Sequence, residues 1–137
     1  MDKHNVLNDL LFKGHVVKEE VLYKDENGKK VTATFRNLLS KEQEKIENQL
    51  KNITGSVNYV LHTYQSSILD YTLMEIGNKK FNSPKEVKDW KSNVATGLVD
   101  RLIELQTNLE KEISRLIRDM KEDEAKDFST PPESDKG

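Results

Sequence analysis

Val31-Thr32-Ala33-Thr34-Phe35-Arg36-Asn37-Leu38-Leu39-Ser40-Lys41-Glu42-Gln43 is where the period of the chain changes. In its first half, Val31, Ala33 and Phe35 alternate with Thr32, Thr34 and Arg36, the two-residue period of a strand with one buried face. In its second half, Ser40-Lys41-Glu42-Gln43 has the spacing of a capping box, in which the serine hydroxyl and the Gln43 side chain satisfy opposing backbone N–H groups. A helix is therefore predicted over residues 41–53, with Ile46, Leu50 and Ile53 as its apolar stripe and Gly55 as its stop. A strand that passes directly into a capped helix makes the class α+β.

Upstream, residues 15–23 alternate roughly, with Val17, Val21 and Tyr23 on one face and Lys18 and Glu20 on the other. Asp25-Glu26-Asn27-Gly28 follows, and Asn-Gly is favoured where a tight turn needs positive φ, so residues 15–36 are predicted to form a β-hairpin. Residues 1–14 are expected to be an N-terminal arm. Its apolar cluster of Val6, Leu7, Leu10, Leu11 and Phe12, broken by Asn8 and Asp9, lacks the core of a signal peptide.

Downstream, Val57, Leu61, Tyr64, Ile68 and Tyr71 recur at steps of four and three and predict a helix over 56–75. Gly77-Asn78 breaks it, and residues 74–81 are expected to turn or form a small hairpin that brings Phe81 back to the core. Ser83-Pro84-Lys85-Glu86 is a second capping box, with proline at the first helical position. It opens a helix over 84–94 that offers Val87, Trp90 and Val94. The longest pattern, Leu98, Leu102, Leu105, Leu109, Ile113, Leu116 and Met120, predicts a helix over 98–120, about 35 Å long at ~1.5 Å per residue. Residues 121–137 are acidic and poor in apolar side chains, so they are expected to be a flexible tail. The expected architecture is one mostly helical α+β domain over 15–120, with an N-terminal β-hairpin, a three- to four-helix bundle and a long C-terminal helix.

Composition narrows the function. Of the 137 residues 34% are charged, but 22 basic and 24 acidic side chains leave a net charge of only -2, so no global field favours nucleic acid or an anionic membrane. There is no cysteine, hence no thiolate chemistry, and no apolar run approaches the ~20 residues needed to cross a bilayer; cytoplasmic residence is expected. His4, His15 and His62 are not spaced to clamp a metal from one helix. The glycines are scattered rather than gathered into a phosphate loop, and no serine has a Gly-x-Ser-x-Gly context. Asp70 and Asp100 lie beside apolar stripe positions, but Asp100 and Glu104 are one turn apart and fit a solvated face. Lys79, Lys80, Lys85, Lys88 and Lys91 cluster around Phe81 and Trp90; because Glu86 and Asp89 interleave with them, a solvated face is again the favoured reading.

No catalytic, cofactor-binding or metal-binding residue is thus expected, and the chain is read as a non-catalytic protein-binding factor. The helices ahead of residues 98–120 look too short to cover it all. Ile113, Leu116, Ile117 and Met120 are therefore expected to form the partner seam, with Phe81 and Trp90 as a secondary patch.

The run over residues 30–44 resembles the N-terminal pattern of small phage tail assembly chaperones and baseplate hub assembly proteins. In these, a strand ending in arginine or lysine is followed by Leu-Thr/Ser and an acidic helix start. The matching positions are Arg36, Leu38, Leu39, Ser40 and Glu42; Ile76-Gly77-Asn78 resembles the Ile-Asn-Gly turn of such proteins with its last two residues exchanged. The resemblance implies an assembly chaperone or adaptor in the host cytoplasm that holds tail or baseplate components. A structural subunit of a virion or other complex, with self-association into a homo-oligomer compatible with it, is the alternative, and a small nucleic-acid-binding regulator is the third reading.

Overall fold

Phe35 and Ala33, both fully buried, mark the strand around which the chain is organised. A computed structural model describes the backbone of residues 2–129 and the side chains of residues 2–121. Strand β1 (Val17–Lys24) pairs antiparallel with β2 (Lys30–Arg36). The turn between them is held by the Asp25 carboxylate, which accepts from the N–H groups of Asn27 and Lys29 at 2.9 and 2.8 Å, with Gly28 at a φ of 78°. On the other side of β2 lies β3 (Leu73–Ile76), followed by the two-residue β4 (Lys79–Lys80), so the sheet order is β1-β2-β3-β4. The expected small hairpin at residues 74–81 is therefore the β3–β4 turn, and it extends the sheet.

The helices are α1 (Lys3–Phe12), α2 (Ser40–Leu50), α3 (Val57–Thr72), α4 (Pro84–Lys91) and α5 (Thr96–Ser129). One core joins them to the sheet: Phe35 and Leu73 from the strands, Val6 from α1, Leu69 from α3, Val87 from α4, and the α5 stripe from Val99 to Leu116.

Several boundaries differ from those expected. Residues 1–14 are no loose arm: Asp2 accepts from the N–H groups of His4 and Asn5 to cap α1, and Val6 is buried in the core. Asn8 is exposed on the outer face of α1, where a polar residue does not interrupt a helical stripe. Leu39, not Ser40, caps α2, and it is Glu42, not Gln43, that reaches back, to the Leu39 N–H at 3.0 Å. Helix α3 stops at Thr72 because Leu73 begins a strand that completes the sheet. Helix α4 ends at Lys91, ahead of Val94. Helix α5 takes in residues 121–129 of the expected tail; residues 130–137 lie outside the described residues.

The strand-to-helix junction is a polar network within this core. Arg36 forks onto Glu42, with Nη1 donating to Oε1 at 2.8 Å and Nη2 to Oε2 at 2.5 Å. Asn37 and Val16 latch the two chain segments together: the Val16 N–H donates to Asn37 Oδ1 at 2.7 Å and the Asn37 N–H to the Val16 carbonyl at 3.3 Å. The Leu38 N–H and the Gln106 amide both donate to Glu110 Oε2, each at 2.6 Å. Burial alone pushes the Glu42 carboxyl up, but Arg36 and the Leu39 N–H outweigh it and hold it below the ordinary range. At Glu110 burial prevails over the two donors, and its carboxyl lies above that range.

These two carboxyls predict opposite pH signatures. Glu42→Gln destabilises the fold by about 1–3 kcal/mol at neutral pH, and the loss shrinks as pH falls below the unfolded value of 4.5 toward the lower folded one. Glu110→Gln keeps an acceptor while removing a buried charge. It stabilises at neutral pH, and the gain fades as pH falls from the raised folded value through 4.5. Urea unfolding midpoints measured across this range check both.

Candidate functional site

Lys85, Lys88 and Lys91 recur every three residues and so lie on one arc of α4. The acidic residues of the same helix, Glu86 and Asp89, lie on another arc, beside Lys79, Trp90 and Asn93. Charges that alternate in sequence are thus separated in space. The lysine arc opens onto a groove of about 720 Å³ between α4, α3 and the end of α2.

Lys91 forms the floor of this groove. Its Nζ lies 2.6 Å from Asp70 Oδ1, which has no other partner among the described residues, and donates to the Ser66 carbonyl at 2.8 Å and to Ser66 Oγ at 2.7 Å. Burial raises the Asp70 carboxyl above its ordinary range, against the pull of Lys91 and, more weakly, Lys88. A serine hydroxyl this close to a lysine has the spacing of a nucleophile and its base. Here, however, Lys91 Nζ donates to Ser66 Oγ, so the hydroxyl is the acceptor and does not hand its hydrogen to the amine. The cluster ties α3 to α4. Lys85 and Lys88 are exposed, and among the described residues neither makes a hydrogen bond or ion pair through its ammonium group.

A smaller crevice of about 340 Å³ lies between α3 and α5, where His62 Nε2 is 3.0 Å from Asp100 Oδ1. Among the described residues no three His, Asp or Glu side chains come together as metal ligands, and no helix is long and apolar enough to cross a membrane.

The expected partner seam is mostly covered by the chain itself. Ile113 and Leu116 are 5% and 7% exposed and belong to the core, and Ile117 packs against it half-buried; only Met120 is exposed. The N-terminal helix α1, expected as an arm, packs on α5 and puts Val6 into the same core. Phe81 and Trp90 do come together, with ring centroids 5.6 Å apart and Lys79 Nζ 5.5 Å from the Phe81 centroid, but both pack half-buried against the core.

Uncovered apolar surface lies instead along residues 11–23, and at the start of α3, where Val57, Tyr59 and Leu61 are exposed although the helical spacing puts Val57 and Leu61 on its apolar face. Leu11 is 69% exposed, Phe12 83%, Val17 47%, Val21 41% and Tyr23 57%. β1 is an outermost strand, and its polar face turns inward: Lys18 and Glu20 pair across from Phe35 and Ala33, and Lys18 Nζ is 3.1 Å from both Glu20 and Glu112 of α5. Val17 and Val21 consequently face out. The period-two pattern placed them on one face of a strand, but nothing local says which face meets the core.

No family model matches this chain, and neither the curated proteins nor the solved structures searched contain a significant match.

The Lys91–Asp70 pair yields a stability prediction. Lys91→Met strands a buried carboxylate and costs about 3–5 kcal/mol in denaturant unfolding, whereas Lys91→Met combined with Asp70→Leu recovers most of that loss.

Proposed function

We propose that this chain is a non-catalytic assembly factor that works by binding another protein along its α1–β1 side. The observation that carries the reading is the run of exposed apolar side chains Leu11, Phe12, Val17, Val21 and Tyr23 on an edge strand and the helix turn before it. An edge strand presents unpaired N–H and C=O groups, and an added strand from a partner satisfies them while outward valines supply apolar contact.

A tail or baseplate component of a phage is the proposed partner. Its support is the resemblance over residues 30–44, the segment that forms β2, the Arg36–Glu42 fork and the start of α2. A permanent subunit of a virion or other complex is the second reading. It is favoured by α5, which continues about 20 Å past Leu116, its last core residue among the described side chains, at 1.5 Å per residue.

The test is a tagged pull-down from the native cell, with finished particles assayed for the chain. Tail or baseplate proteins recovered, with the chain absent from particles, support an assembly chaperone; presence in particles supports the structural subunit, and capture of neither sinks the phage reading. Val17→Lys with Val21→Lys is expected to weaken partner capture by about tenfold or more while leaving the unfolding midpoint nearly unchanged, since both side chains are exposed.

A further inference from the structure

We propose that the groove between α3 and α4 binds an acidic, extended segment of a partner protein, with Lys85 and Lys88 as its charged contacts. The groove shares no residue with the β1 edge, so either surface can fail without the other.

The net charge of the lining is the first argument. Among the described residues its only carboxylate is Asp70, which pairs with Lys91 at 2.6 Å. Lys85 and Lys88, whose ammonium groups make no hydrogen bond or ion pair among the described residues, therefore leave the lining net positive, in a protein whose overall charge is slightly negative. The Asp70 contact also fixes α4 against α3, so its lysine arc is held toward the groove and its Glu86–Asp89 arc away from it.

Shape and donor type then select the ligand. Two lysines three residues apart on a helix present ammonium groups with anchor points about 5–6 Å apart. Carboxylates on alternate residues of an extended peptide repeat at about 6.6–6.8 Å, close enough for flexible lysine stems to meet both. A groove of about 720 Å³ is far larger than one phosphate needs. No arginine lines it, so the forked recognition that favours phosphate is missing among these residues. Leu50, Tyr71 and Pro84 supply apolar wall for the stems of a peptide, and Ser66, whose Oγ accepts from Lys91, still has its own hydrogen to donate.

The test is fluorescence anisotropy with a labelled peptide of roughly ten residues, alternating glutamate with alanine and serine, titrated with the full chain at low salt. The expected result is saturable binding that weakens with salt and that Lys85→Glu with Lys88→Glu reduces by about tenfold or more. Arg115→Glu with Arg118→Glu changes the net charge equally at exposed positions of α5 and should shift binding less than about twofold. If the glutamate pair fails to fold by circular dichroism, Lys85→Gln with Lys88→Gln replaces it. Val17→Lys with Val21→Lys should leave peptide binding intact. No binding at low salt, equal losses in the Lys85/Lys88 and Arg115/Arg118 variants, or displacement of the peptide by inorganic phosphate at matched concentration would each overturn the proposal.

Discussion

The fork between Arg36 and Glu42 is the contact on which the rest of the arrangement turns, because it fixes the angle at which a sheet hands over to helices. Arg36 is the last residue of β2 and Glu42 lies in the first turn of α2, so two parallel hydrogen bonds at 2.8 and 2.5 Å leave the five residues between them little freedom. Glu42 performs a second task with the same carboxylate, accepting from the Leu39 N–H that would otherwise be an orphan donor at the helix start. Behind it, Glu110 takes the Leu38 N–H from α5, and Asn37 takes the Val16 N–H from the start of the hairpin. Four separate segments are thereby bonded to one short junction.

That junction also explains why buried polar groups are tolerated in a lean core. An unsatisfied buried donor costs about 1–3 kcal/mol, comparable with burying a whole aliphatic side chain, so Glu42, Asn37 and Gln106 persist only because each has a partner. The inward Lys18 follows the same logic at the other edge of the sheet, where Glu20 and Glu112 neutralise it. Turning charge inward on an outermost strand is also a known way of discouraging indiscriminate strand pairing. Here it leaves Val17 and Val21 outward, so β1 combines a guarded core side with an apolar outer one.

Much of the architecture was legible in the sequence: the hairpin from its period and Asn-Gly turn, α4 from Ser83 and Pro84, and α5 from its leucine spacing. What was not legible depended on contacts far along the chain. The cap at Leu39 is the local exception: Arg36 and Glu42 are close in sequence, but Ser40-Lys41-Glu42-Gln43 and Leu39-Ser40-Lys41-Glu42 offer Gln43 and Glu42 alike, and only the fork to Arg36 selects Glu42. The α3 pattern runs into Leu73, whose strand conformation is set by β2, a partner some forty residues earlier. In the N-terminal segment the apolar residues are few and scattered along the chain, but at helical period Val6 and Leu10 fall on one face, and α1 packs on α5. With that helix in place, Ile113 and Leu116 belong to the core rather than to an exposed seam.

The basic groove shows the same limit from the opposite direction. In sequence, Lys85, Glu86, Lys88, Asp89 and Lys91 are a mixed run whose charges nearly cancel, and a mixed run is ordinarily a solvated face. At 100° per residue the lysines and the acids fall on different arcs of α4, and cancellation along the chain ceases to mean cancellation in space. Which arc faces α3 is then decided by Val87, buried in the core, and by Lys91, drawn to Asp70 and Ser66. Asp70 matters in this sense beyond its own ion pair. Among the described residues it is the one acid lining the groove, and by engaging Lys91 it both anchors the helix and leaves the lining net positive at Lys85 and Lys88.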